Sequence, residues 1–401
     1  MPYFTQVGSI PRKRHTAFRQ PDGTLYSEEL IGEDGFVGDT SLLYHRNPPS
    51  ALTAIEAVTV ADEGLHDNHP LSPLHLTPHS LPIKGDAVLD RVLLLANDEV
   101  RIAYAVATED STLYKNSTGD ELAYVESGSG VFESTFGRLE ISEGDYVIVP
   151  TSTIHRWTVT GDEELRLLFV EAVGHIDPPK RYLSERGQFI EGTPYCELDI
   201  RRPTELVSGT GTDVPVVVRT RSGLTRNLHK HHPFDVVGWH GGMYPWSFNI
   251  SDFEPITGSL HQPPPQHQIL EAPGFVMCNF VPRMLDYHPN SVPIPPFHSN
   301  VDSDEVLFYA KGQAKTRTGT GVGLGSITVH PAGFIHGPHP GNTERALGAT
   351  RANEYQVMID THRPLRLAGV VHDCTDADYP LTWATPEEAA PQTTSARPTD
   401  A

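Results

Sequence analysis

Residues 298–312 read HSNVDSDEVLFYAKG: a histidine, a polar turn with two adjacent acids, the apolar run VLFY, and a glycine. If a strand opens at Glu305, side chains alternate, and Leu307 and Tyr309 fall on the same face as the carboxylate. A charge at the lip of a strand needs a partner, and the stretch has a twin in which to look for the pattern. NSTGDELAYVESGSG from Asn116 repeats NVDSDEVLFYAKGQA from Asn300, with Asn116, Asp120, Glu121 and Gly128 matching Asn300, Asp304, Glu305 and Gly312 at a shift of 184. Further on, GDYVIVPTSTIHRW from Gly144 and GSITVHPAGFIHGP from Gly325 align Gly144, Pro150 and His155 with Gly325, Pro331 and His336 at a shift of 181. Two repeated blocks at a near-constant offset imply two homologous β-domains in one chain.

The rest of the sequence agrees with that division. At 401 residues the chain exceeds one ordinary domain. Its 34 glycines and 35 prolines are spread between short apolar runs such as VLLLAN, YVIVP and VPVVVRT, the pattern of sandwiches and barrels. The expected fold class is therefore all-β, with an N-terminal domain over 1–190, a C-terminal domain over 191–383 and a disordered tail over 384–401, which lacks large apolar residues to bury. Thirty Lys+Arg against 51 Asp+Glu give a net charge of −21, which argues against binding nucleic acid or anionic lipid. Cys196, Cys278 and Cys374 are widely separated and form no CxxC pair, so neither a disulfide framework nor a thiolate zinc site is expected. No apolar window approaches ~18 residues and no signal-peptide core follows the basic N-terminus. A cytoplasmic protein without a membrane partner is expected.

Each half reads E-x6-G, then G-x5-P-x-(G or S)-x2-H, and this resembles the two motifs of the cupin superfamily, small jelly-roll β-barrels. In that geometry His298, Glu305 and His336 converge from facing strands as a facial triad of two histidines and one carboxylate, the arrangement of non-haem Fe(II) oxygenases. Asn300 stands where some cupins carry a further histidine, so three protein ligands are expected. In the twin Tyr114 replaces the first histidine and only Glu121 and His155 remain. The N-terminal barrel is expected to bind no metal and to serve structure, assembly or a pocket wall.

The runs TSLLYHRNPPSA, FDVVGWHGGMYPWSFNISDF, PPFHSNVDSDE and HPAGFIHGPHP, taken in order, resemble the homogentisate 1,2-dioxygenase family of bicupins from about residue 5 to 383. The resemblance implies Fe(II) held by His298, Glu305 and His336, and a homo-oligomer, trimer or hexamer. It also implies ring cleavage of homogentisate by O2 to maleylacetoacetate, a step of tyrosine and phenylalanine catabolism. His261, in HQPPPQHQILEA, aligns with the family's acid/base histidine, with His267 as the second candidate; an imidazole can take a phenol's proton near neutral pH. His330, Phe297 and Asn300 fall at substrate-pocket positions. Glu305 lies one residue later than the family's His-x5-Glu spacing, and another register would make Asp304 the ligand. Phe297 and Ala314 stand where tyrosines are usual, and Ser299 where arginine is common. These departures leave open a related hydroquinone or aminophenol acid as substrate. A non-oxygenase metal bicupin or a non-catalytic one is the alternative of another class.

Overall fold

A computed structural model describes residues 3–261, 264–312, 315–317 and 319–384. The expected tail and Ala314 lie outside the described residues, apart from Ala384, which ends a short 3-10 turn. Two antiparallel β-barrels make up the body. In the N-terminal one, the strands Val100–Ala107, Glu121–Ser127, Asp145–Val149 and Leu165–Ala172 form one sheet, and Leu113–Asn116, Ser129–Ser134, Gly137–Ser142 and His155–Thr160 the other. Phe132, Trp157, Phe169 and Val125 fill the space between them. In the C-terminal barrel a sheet runs in the order Gln268–Ala272, Phe275–Phe280, Tyr355–Thr361, Asp304–Lys311, Ile327–His330, Leu74–Leu76.

The run VLFY is uninterrupted because both faces of its strand are buried. Leu307 and Tyr309 face the barrel interior with Cys278 and Met358. Val306 and Phe308 point the other way, into a core shared with Leu122, Tyr124, Tyr146 and Leu168 on the outer face of the N-terminal sheet. Tyr124 meets Phe308 edge-on at 6.0 Å, and the Tyr146 hydroxyl donates to Asn279 Oδ1 at 2.5 Å. Buried side chains of this size each contribute on the order of 2 kcal/mol. The N-terminal barrel thus braces the back of the sheet that carries Glu305.

Sheet pairing crosses the 190/191 boundary in both directions. Val214–Thr220 runs parallel to Leu113–Asn116, and Trp246–Asn249 pairs with Asp145–Val149. Leu74–Leu76 closes the C-terminal sheet against Ile327–His330. The repeat marks the two barrels, and these exchanged strands tie them together.

A smaller sheet joins Thr5–Gly8, Val236–Gly241, Thr40–His45 and Ser27–Gly32. At the end of its strand the buried His45 sits between Asp235 Oδ1, 2.6 Å from Nδ1, and Glu29 Oε2, 3.0 Å from Nε2. Burial alone would lower its pKa, but the two carboxylates overturn that and raise it from 6.5 to about 9. A raised histidine contributes stability in full below its unfolded value and loses it as pH passes the folded one. Thermal unfolding at pH 6 and pH 9.5 should show a loss of roughly 3 kcal/mol from this group. His45→Gln should flatten that part of the pH profile.

Candidate metal centre

Glu305 is the second residue of the strand Asp304–Lys311 and pairs in register with His330 on one side and Asp360 on the other. His298 and His336 face each other across an isolated antiparallel bridge, each backbone N–H donating to the other's carbonyl at 2.9 Å. Each imidazole is oriented by a carbonyl two residues back: His298 Nδ1–H donates to Pro296 O at 2.8 Å, and His336 Nδ1–H to Phe334 O at 3.0 Å. That tautomer leaves both Nε2 lone pairs turned toward Glu305, at 3.8 Å from Oε2 for His298 and 3.3 Å from Oε1 for His336. His336 Nε2 is buried and has no hydrogen-bond partner among the described residues. A lone pair held against a buried carboxylate oxygen asks for a cation between them. The donor atoms of His298, Glu305 and His336 lie within 4.8 Å of one another, and two imidazoles with a carboxylate suit a divalent transition metal.

The surroundings fix the carboxylate. Burial opposes the charge on Glu305, and the hydrogen bond from His330 favours it. His330 is fully buried, and burial pushes its pKa down to about 3, so it is neutral. Its Nε2 faces the Tyr379 hydroxyl at 3.1 Å and Arg317 at 3.4 Å, which are donors, leaving Nδ1–H to donate to Glu305 Oε1 at 2.9 Å. His330 thus sits behind the carboxylate rather than in the cavity wall. Its ring stacks on His336 at 4.1 Å. Asn300 turns to Asp360, donating to Oδ1 at 3.0 Å.

Asp304 points away from this cluster. Its two oxygens accept the backbone N–H groups of Ala332 and Leu365, each at 2.8 Å. Asp120 does the same in the twin, accepting from Thr151 N at 2.8 Å and Ile176 N at 3.0 Å. In both barrels this aspartate ties the loop of the second motif to the end of a neighbouring strand. Glu33, Asp120 and His175 also come within 4.8 Å of one another, but Asp120 there is engaged with backbone amides.

A cavity of about 340 Å³ opens onto the triad. Ile256, Leu285, Ile294, Leu307 and Met358 supply its apolar wall, and His261, His267, Arg283, Arg317 and Glu354 its polar one. His261 lies at the rim, 4.0 Å from Asp286 and partly exposed; His267 is buried deeper, beside Phe280. Phe297 is 61% exposed and packs against Gly337, where a Cβ would meet its ring at 2.8 Å; it lies outside the cavity lining. Arg317, Tyr379, Arg283 and Glu354 belong to no spaced motif, and only the folded chain brings them here.

In the N-terminal barrel the same frame holds a guanidinium. Tyr114 pairs with His155 as His298 does with His336, and His155 Nδ1–H again donates two residues back, to Thr153 O at 2.9 Å. Arg91, wholly outside the repeat, brings its guanidinium to 2.9 Å from Glu121 Oε1 and 3.3 Å from Glu171 Oε1, stacked 3.5 Å over Phe169. The Tyr114 hydroxyl donates to the same Glu121 oxygen at 2.9 Å. Removing one partner of a buried ion pair leaves an uncompensated charge, so Arg91→Met should destabilise the protein by about 3–5 kcal/mol in urea unfolding. The Arg91→Met, Glu121→Leu double variant should recover part of that loss.

The cupin-domain family model matches residues 102–171. A Saccharolobus solfataricus protein named "Putative dioxygenase" is 38% identical over 394 residues, spanning 96% of this chain and 100% of its own length. Homogentisate 1,2-dioxygenase of Rhodopseudomonas palustris is 26% identical over 415 residues, 94% of this chain and 90% of its own. The solved structure of Ylba from E. coli covers 78% of this chain and 96% of its own at 11% identity and a TM-score of 0.36.

Proposed function

Because the chain belongs to the bicupin dioxygenase family, we propose that it is an Fe(II)-dependent enzyme that opens the ring of a hydroquinone acid with O2, with homogentisate as substrate and maleylacetoacetate as product. The observation that carries this reading is the convergence of His298, Glu305 and His336 at the cavity, with an orphaned Nε2 on His336. Those three residues would hold the iron on one face. Iron bound there would supply open coordination positions and the electron exchange that lets O2 react with an electron-rich ring.

The chain's own residues do the rest. Ile256, Leu285, Ile294, Leu307 and Met358 offer an apolar slot that takes a flat ring and excludes water. His330 keeps the Glu305 carboxylate ionised and in one rotamer, as partners behind metal ligands generally do. His261, at the rim and within reach of Asp286, is the group placed to accept a proton from a ring hydroxyl as substrate enters. Phe297, turned outward, offers no hydroxyl to the pocket, which supports another hydroquinone or aminophenol acid as the second substrate reading.

Protein reconstituted anaerobically with Fe(II) should hold one iron per chain and consume O2 with homogentisate as the ring-opened product absorbs. His336→Ala should lose both iron and uptake, whereas His155→Ala should keep the iron. Iron bound without turnover would remove homogentisate and leave the site. No iron bound by the unmodified chain would sink the dioxygenase reading itself.

A further inference from the structure

The turn Tyr379–Ala384 lies outside both motifs, yet its side chains meet residues that flank the metal ligands. Tyr379 is fully buried, and its hydroxyl lies 3.1 Å from His330 Nε2. Two neighbours pin the turn in place. Trp383 Nε1–H donates at 3.2 Å to Gly337 O, the carbonyl directly after His336, and its ring stacks on His339 at 4.1 Å. Thr382 Oγ1 donates to Tyr379 O at 2.7 Å, which leaves it to accept from His339 Nε2–H, also at 2.7 Å. Tyr379 is thus anchored to the same segment, 336–339, that carries a ligand.

Its hydroxyl completes a chain that ends on another ligand. A neutral imidazole carries one proton, and Glu305 takes it from His330 Nδ1 at 2.9 Å. Nε2 then holds a buried lone pair that needs a donor. Arg317, which has donors only, faces it at 3.4 Å, but that guanidinium is engaged more closely with Gly337 O at 2.7 Å. The Tyr379 hydroxyl is the shorter contact. Two hydrogen bonds, 3.1 and 2.9 Å long, therefore run from Tyr379 through His330 to Glu305, and each polarises the other. The imidazole fixed at both nitrogens also stacks on the His336 ring at 4.1 Å, within 9° of parallel. Neither Tyr379 nor His330 lines the cavity, so both act from behind the ligands.

We infer that Tyr379 is a positioning residue for the metal centre, holding Glu305 in its ligating orientation through His330. This rests on the reading that His298, Glu305 and His336 hold a divalent metal. Without the hydroxyl, the ring behind Glu305 loses its shorter support, and the carboxylate has to be reoriented each time metal binds. Groups that orient a ligand from behind contribute to metal affinity without touching the metal. The role of Tyr379 is therefore read in how tightly metal is held, before any substrate is present.

Co(II) is the probe, since it suits the same ligands and its visible bands report their geometry. It is titrated against a competing chelator into the metal-free full-length chain, with urea unfolding of each metal-free protein alongside. Tyr379→Phe keeps the ring and removes only the hydroxyl; it should weaken Co(II) binding about three- to ten-fold and alter the visible bands, and His330→Leu should weaken it about ten- to a hundred-fold. Added to His330→Leu, Tyr379→Phe should cause no further loss, because its effect passes through the imidazole. Unchanged Co(II) affinity in Tyr379→Phe, even with lower stability to urea, would reduce the hydroxyl to packing and overturn the proposal. A Tyr379→Phe loss that persists in full beside His330→Leu would overturn it equally. If His330→Leu does not fold, affinity in Tyr379→Phe alone decides. No Co(II) bound by the unmodified chain would overturn the metal centre and the positioning role together. The expected pattern with Co(II), but no O2 uptake by the Fe(II) protein with homogentisate, would overturn the proposed reaction and leave the role of Tyr379 standing.

Discussion

A carboxylate buried at the mouth of each barrel has to be compensated, and the two halves of the chain surround it with different groups. Burial of an unpaired carboxylate is opposed by several kcal/mol. In the N-terminal barrel the fixed charge of Arg91 meets Glu121, and the Tyr114 hydroxyl takes up the position that His298 holds in the other copy. In the C-terminal barrel three imidazoles surround Glu305, and two of them turn lone pairs toward it. A guanidinium fills its site permanently and leaves no position for a ligand. Imidazoles ranged around the carboxylate do the opposite, leaving between their donor atoms the space that a guanidinium would fill. The two arrangements share a frame, down to the histidine that hydrogen-bonds two residues back in each.

That difference accounts for how the barrels divide their work. Arg91 is held from below by Phe169 and from the side by Glu171, so the first barrel is packed through its centre. A solid barrel is a suitable brace, and its outer face carries Tyr124 and Tyr146 against the back of the sheet that presents Glu305. The second barrel is hollow where the first is filled. Its inner face carries a cavity, and its outer face is kept in place by apolar contacts that the cavity cannot supply. A hollow site with fixed geometry needs support from the far side of its own strands.

Much of this was legible in the sequence because both motifs are local. Glycine, proline and the acids at fixed spacing specify turns and strand starts over fewer than twenty residues. The choice between Asp304 and Glu305 turns on strand alternation: neighbours point to opposite faces, and Asp304 faces the backbone of Ala332 and Leu365. Sequence spacing brackets that choice, and only the strand's start resolves it. Arg91 left no trace, since it reaches Glu121 and Glu171 over 30 and 80 residues and belongs to no motif. The strand exchange of Leu74–Leu76 is equally silent, because three residues carry no period. Phe297 sits beside His298 in sequence yet turns out of the cavity, since adjacent residues on extended chain diverge.

The same distinction between local and distant information applies to specificity. The triad lies on motif residues whose spacing is constrained by the barrel, so its chemistry is set by the frame. The polar wall opposite lies on His267, Arg283 and Glu354, which come from three separate segments and are free to vary without disturbing either motif. Two sets of groups drawn from different parts of the sequence thus meet across one cavity. A cavity of about 340 Å³ is of the size that small-molecule sites have, so a change on either wall is felt across it. Under that constraint, a substitution on the far wall reshapes the cavity while His298, Glu305 and His336 keep the positions that the barrel frame gives them.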